Sequence, residues 1–140
     1  VTPSATLQRA VIYHFALVDA RRLTAHEEVD EDHLVELTAE ILRDGILRQP
    51  VLVDSESGVI LDGHHRVRAL KTLGCSLIPA YLVDYSDSGI EVWPRRPGIP
   101  VDKEGVVKAG LSGLPYPPKT TRHEWPLPPE ARPVSLSSLK

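Results

Sequence analysis

The run Val59-Ile-Leu-Asp-Gly-His-His-Arg66 constrains the fold more than any other part of the sequence. Val59, Ile60 and Leu61 read as a buried strand. From Gly63 the apolar period becomes helical, with Val67, Leu70 and Leu73 on one face and Gly74 as the stop. No residues remain for a loop, so a strand feeds straight into a helix through one glycine. The first turn of such a helix carries backbone N–H groups with no partner in the helix, and Gly63 lets an anion approach them. The turn reads as a phosphate-sized socket. Asp62 stands beside it as a carboxylate able to hold Mg2+ against phosphate oxygens, and His64, His65 and Arg66 supply donors at the rim. A plainer reading makes Asp62 a cap, Gly63 a turn and the two histidines a solvated face.

Other elements fall around this one. Val11–Leu17 alternates weakly and predicts a strand. Asp30 is placed to cap a helix over about 31–44, whose stripe is Leu34, Leu37 and Ile41. Pro50–Asp54 and Val59–Asp62, joined by Ser55–Gly58, predict a hairpin. Ile78–Asp84 predicts a buried strand, Ile90–Trp93 a shorter one, and Val101–Ala109 a weaker helix. From Leu111 to Lys140 there is no periodicity that predicts an element.

Hydrophobic residues at 41% and charged residues at 25% are ordinary globular values, and no apolar run approaches the ~20 residues that cross a bilayer. A lone cysteine, Cys75, makes no internal disulfide, and the expected location is cytoplasmic. A net charge of −3 argues against duplex nucleic acid as a partner. The charge is uneven: residues 1–44 hold nine acids and four bases, whereas residues 93–140 hold four acids and eight bases. Ten of the thirteen prolines follow Trp93, so this basic segment is expected to be extended and loop-rich, and to attract an anion.

Two further clusters carry chemistry. Lys119-Thr-Thr-Arg-His123 sets two hydroxyls between cations, suited to a phosphate or carboxylate, although an exposed basic loop has the same composition. In Ala25-His-Glu-Glu-Val29 one of the two glutamates, Glu27 or Glu28, is placed to accept a proton from a hydroxyl nucleophile, with helix-dipole decoration as the plainer reading. A zinc site on His64 and His65 is disfavoured, because adjacent helical residues diverge and Cys75 has no second cysteine.

Taken in order, HEEV, an amphipathic helix, PVLVD-turn-VILDGHHRVRALKTLG and IPAYLVDY resemble the ParB/sulfiredoxin-like superfamily over about residues 10–95. Asp62-Gly-His-His-Arg66 followed by Pro118-Lys-Thr-Thr-Arg-His123 resembles the free serine kinases of that fold. The resemblance implies a small α+β domain with a mixed, short-stranded sheet and helices at about 31–44 and 64–73. It implies one kinase domain over 1–140, with a proline-rich segment at about 96–140 closing over substrate. It further implies phosphoryl transfer from ADP or ATP, with Mg2+, to the hydroxyl of free L-serine. In that reading Glu27 is the base and Asp62 closes the nucleotide and metal site. Gly63, His64, His65 and Arg66 hold phosphates, and Lys119, Thr120, Thr121, Arg122 and His123 hold substrate.

One departure accompanies the resemblance, and two other branches of the superfamily fit less well. The segment before KTTRH is short for such kinases, so the serine pocket is expected to be more open, shared with a second subunit, or built for another small hydroxyl compound. Sulfiredoxins place a cysteine where His64 stands. Partition proteins place Gly-Glu-Arg-Arg at the turn and continue into a DNA-binding region, and the alternative reading is a CTP-type regulatory module without kinase activity.

Overall fold

A computed structural model of the chain describes residues 11–126 and 129–140. Its centre is a five-stranded mixed sheet in the order β1-β6-β4-β5-β2. The strands are β1 (His14–Asp19), β2 (Thr24–Ala25), β4 (Val51–Asp54), β5 (Val59–Asp62) and β6 (Leu77–Val83), and β3 (Ile46–Leu47) lies outside the sheet. β1 and β6 are antiparallel, β4 and β6 parallel, β4 and β5 antiparallel, and β2 lies parallel to β5 at the edge. The expected hairpin is therefore present. Its turn is tied by Asp54, whose carboxylate accepts the Ser57 hydroxyl at 2.6 Å.

Helix α1 (Glu31–Asp44) begins where Asp30 accepts the N–H groups of Asp32 and His33, and ends at Gly45 in the left-handed region. Helix α2 (His64–Thr72) follows β5 with only Gly63 between. Helix α3 (Lys103–Ser112) starts later than the apolar residues suggest, because Asp102 accepts the Gly105 N–H at 2.7 Å and fixes the first turn there.

Side chains alternate through the sheet into two cores. Val51, Val53, Ile60, Ile78 and Ala80 join Leu34 and Ile41 of α1 and Val67 and Leu70 of α2. Leu52, Val59, Leu61, Tyr81 and Val83 point to the other side, with Val106 of α3 and Ile90. Helices cover both faces, which is why the central strands read as unbroken apolar runs. At Gly110 of α3 a Cβ would stand 2.7 Å from a Val59 methyl, so a side chain there would push the helix off the sheet.

The structure differs from the sequence-based expectation at the edges. β1 runs 14–19 rather than 11–17, since its register is set by β6, with Asp19 opposite Leu77, and both its faces are partly exposed. The tail is not structureless. β7 (Glu91–Pro94) pairs antiparallel with β8 (Thr121–Glu124), and β9 (Val134–Ser135) pairs with β3. Leu136 and Leu139 enter the core, and the Leu139 carbonyl accepts the N–H groups of Ser76 and Leu77. β8 is a polar tetrapeptide held by its partner strand, so local composition carries no trace of it.

Candidate active site

The site grows from the β5–α2 turn. Gly63 has φ +104°, and a Cβ on it would stand 2.5 Å from Val51 Cγ1 and 2.9 Å from an Arg66 nitrogen. Glycine is thus required by backbone conformation and by packing against Val51, in addition to any access it gives a ligand. No side chain caps α2, so its first-turn amides are left to the cleft beyond. Arg66 does not reach freely outward. Its guanidinium donates to the carbonyls of Gln49 and Pro50 at 2.9 and 3.0 Å and to Asp62 Oδ2 at 2.9 Å.

Both histidines of the turn are tied down. His64 is buried, and its Nε2 accepts the His26 N–H at 3.3 Å. Burial holds its imidazole well below the usual range, with the neighbouring histidines adding to the effect. His65 Nε2 accepts the Asp30 N–H at 2.9 Å, and its ring lies 4.3 Å from that of His33. Burial lowers its pKa, as does the proximity of His33. In each ring Nε2 is thus an acceptor, leaving only Nδ1–H to donate to a ligand.

The loop before α1 brings Glu27. Main-chain bonds between the loop and Tyr116 hold it: Glu28 N–H to Tyr116 O and Tyr116 N–H to His26 O, both 2.8 Å. The Glu27 carboxylate then organises the tail. Oε2 accepts the Lys119 N–H at 3.1 Å, while Oε1 accepts the N–H groups of Thr120 and Thr121 at 3.1 and 2.8 Å. Oε1 also lies 2.9 Å from the Thr121 hydroxyl. Lys119, at φ +58°, takes a conformation rare for a side-chain-bearing residue, and it lets three successive amides converge on one carboxylate. Glu28 lines an adjoining cavity of about 210 Å3 with Arg68 and Lys71, which Glu27 and His64 also border.

One cleft of about 480 Å3 receives these parts. Glu27, Asp62, Gly63, His64, His65, Arg66, Lys119, Thr121, Arg122 and His123 all line it, drawn from three distant stretches of chain. Thr120 is the exception among the candidates: it is fully buried, and its hydroxyl donates to Pro117 O at 2.6 Å, so its side chain is turned away from any substrate. His123 stands at the back, with Nε2 2.8 Å from the Tyr85 hydroxyl. Burial, reinforced by His26 and Lys103, pushes its pKa down to about 3. Burial also raises the pKa of the Tyr85 phenol, so this contact joins two neutral groups.

Arg66, Lys119, Arg122 and Arg95 bring positive charge to the cleft, whereas the pKa values of His64, His65 and His123 are all lowered. Sequence reasoning missed Arg95, which lines the cleft while its N–H donates to Thr120 O at 2.8 Å. It also missed His26, fully buried behind Glu27. Its position directly before Glu27 was the only signal, and a histidine in an acidic loop does not announce burial. Cys75 is a core thiol, its pKa raised by burial.

Among the described residues no group of three or more His, Cys, Asp or Glu side chains converges as a metal cage. The half-exposed Asp62 is one carboxylate, with Oδ2 engaged by Arg66. That donor set suits a Mg2+ ion carried largely by phosphate oxygens and water, which needs only one or two protein carboxylates. No helix among the described residues is long and apolar enough to cross a membrane.

The chain was compared with known proteins. Over 87 residues it is 33% identical to an ATP-dependent L-serine kinase of Staphylothermus marinus, covering 59% of this chain and 34% of that protein. Over 85 residues it is 41% identical to a ParB-like protein of Sulfolobus acidocaldarius, covering 59% of this chain and 42% of that one. The chain thus spans less than half the length of these relatives. Among solved structures, a free serine kinase in complex with AMP superposes with a TM-score of 0.81 at 18% identity, covering 95% of both chains. SbnI from Staphylococcus aureus, with a C-terminal truncation, superposes with a TM-score of 0.77 at 16% identity, over 91% of this chain and 89% of the other. These likenesses establish a shared α+β fold. The sequence profile of the ParB N-terminal domain matches residues 6–91, the whole five-stranded sheet and both helices beside the cleft, and the chain belongs to the ParB N-terminal domain family.

Proposed function

We propose that the protein is a phosphotransferase that moves the terminal phosphoryl group of ADP or ATP to the hydroxyl of free L-serine, giving O-phospho-L-serine. The observation that carries this reading is the shared cleft: an uncapped helix start, four cations and the Glu27 carboxylate line one cavity. The kinase named among the relatives, and the AMP-bound kinase of the same fold, support it. Residues 1–140 act in this reading as one kinase unit.

Phosphoryl transfer depends mainly on positioning and on offsetting charge. The first-turn amides of α2 and the Nδ1–H groups of His64 and His65 bind phosphate oxygens. Arg66, anchored on Gln49 and Pro50, holds Asp62 in place. Mg2+, carried with the nucleotide and held by Asp62, supplies further charge neutralisation when bound. Lys119, Arg122 and Arg95 face the transferred group and the substrate carboxylate. Glu27 takes the hydroxyl proton through Oε2, which accepts one amide where Oε1 meets three donors. Thr121 and His123 complete the substrate side, and Thr120 contributes through its backbone alone.

The test is direct. The protein is mixed with Mg2+, ADP or ATP, and L-serine, and 31P spectra are followed. A phosphomonoester appearing only with serine supports the kinase. Nucleotide turnover giving inorganic phosphate alone, with CTP preferred, supports the regulatory module instead.

A further inference from the structure

Behind Glu27 the hydrogen bonds do not balance unless one hydrogen moves. The fully buried His26 has Nδ1 2.6 Å from the carbonyl of Ile60, which only accepts, so Nδ1 carries a hydrogen. Its Nε2 lies 2.8 Å from the Thr121 hydroxyl, and that same hydroxyl lies 2.9 Å from Glu27 Oε1. The hydroxyl has one hydrogen and two acceptors. Among the described residues the rings packed against His26 are neutral, and Glu27 is the charged group beside it. His64 of α2 lies edge-on at 4.5 Å, His123 of β8 at 5.5 Å and Tyr116 at 6.4 Å between ring centroids. Burial lowers the His26 pKa, with the Ile60 carbonyl and Glu27 acting the other way.

We propose that the Thr121 hydroxyl is a two-position rotor, and that His26 is a positioning residue for Glu27 acting through it. This rests on Glu27 being the proton acceptor of the kinase reading. While Glu27 is ionised, Thr121 donates to Oε1. When the substrate O–H bond breaks and an O–H bond forms on Oε2, the neutral carboxyl is a weaker acceptor, and the Thr121 hydroxyl turns to His26 Nε2. In the same transfer the serine oxygen bonds to phosphorus as the bond from phosphorus to the departing nucleotide oxygen breaks; within the Glu27–Thr121–His26 chain only the new O–H bond on Oε2 forms, and His26 stays neutral. The Thr121 N–H remains on Oε1 in both positions, so Glu27 keeps its place while its protonated form gains a compensating bond elsewhere. A buried nitrogen that would otherwise lack a donor is satisfied in the protonated state.

The test uses 15N-histidine-labelled full-length protein. Glu27→Gln mimics the neutral carboxyl. The His26 Nε2 resonance of the wild type is expected at the position of a free ring nitrogen, moving upfield in Glu27→Gln as it accepts a hydrogen bond. Thr121→Val abolishes that displacement and Thr121→Ser retains it. In turnover, Thr121→Val loses roughly 10- to 100-fold in kcat, the scale of a hydrogen bond to a charged group, with nucleotide KM unchanged, and Thr121→Ser recovers most of it. An Nε2 resonance that is the same in wild type and Glu27→Gln, or a ring protonated on both nitrogens, overturns the rotor. If Thr121→Val does not fold, the comparison of wild type with Glu27→Gln still decides. The resonance is read without phosphoryl transfer: a chain inactive on every acceptor removes the kinase reading and leaves the rotor to the spectrum. An unmoved resonance in a chain whose turnover needs Glu27 removes the rotor alone.

Discussion

Oε1 of Glu27 receives the N–H of Thr121 at 2.8 Å and stands 2.9 Å from its hydroxyl, although the two residues are 94 positions apart in the chain. That carboxylate templates the loop opposite it, and in the proposed kinase reading it is also the base; substitutions separate the two. Glu27→Gln keeps an acceptor for the amides and removes the proposed base. Its kcat should fall at least about 100-fold, on the scale of general-base catalysis, while nucleotide affinity stays within a few-fold by titration calorimetry. Unchanged kcat removes Glu27 from the chemistry.

Gly63 is held at φ +104° with Val51 where a Cβ would be. Gly63→Ala must adopt a strained backbone and displace Val51, a fully buried residue, so a loss of about 2 kcal/mol or more in urea unfolding is expected. Nucleotide affinity should drop in the same variant, since the turn that carries the helix amides shifts with it. Wild-type stability in the alanine variant would show that the turn relaxes freely.

Four histidines near the cleft are held neutral, His64 and His123 most strongly. Their folded pKa values lie below the unfolded value of about 6.5, so the unfolded chain binds more protons on acidification. Stability is therefore complete above about pH 6.5 and declines as pH falls toward 3, the value to which His123 is depressed. Each such group adds up to about 1.4 kcal/mol per pH unit between its two values. Urea midpoints at pH 7 and pH 5 check this, and His123→Phe should flatten the dependence. A midpoint that does not move would show that the rings take up protons as readily in the folded protein as in the unfolded chain.

Leu139 is fully buried and its carbonyl joins the N–H groups of Ser76 and Leu77. Leu139→Ala should cost about 2–5 kcal/mol, as for any large aliphatic side chain removed from a packed core. A change under about 0.5 kcal/mol would mean that the tail is only loosely seated.

The central architecture was legible because its signals are local. Val51–Asp54 and Val59–Asp62 are apolar on both sides of a turn residue cluster, and Asp30, Gly45 and Gly63 punctuate the helices as their chemistry requires. The resemblance placed Glu27, Asp62-Gly63 and KTTRH in one pocket, and the cleft joins all of them except the side chain of Thr120. What stayed hidden is non-local. β8 is a strand only because β7 lies beside it, Arg95 enters the cleft because its backbone pairs with Thr120, and His26 is buried because Ile60, His64 and Thr121 close round it. The histidines of the turn were read as open donors, and main-chain N–H groups from the preceding loop occupy one nitrogen of each.

The way β9 pairs with β3, while β8 returns to β7, has a temporal implication for synthesis. The wall of the cleft that carries Glu27 and Gly63 is translated before the one that residues 119–123 deliver, and the loop entropy between them is recovered only on closure. A ribosome-bound chain released as far as α3 therefore holds its glutamate without the amides that aim it, and the cleft is completed in one subsequent step rather than by degrees.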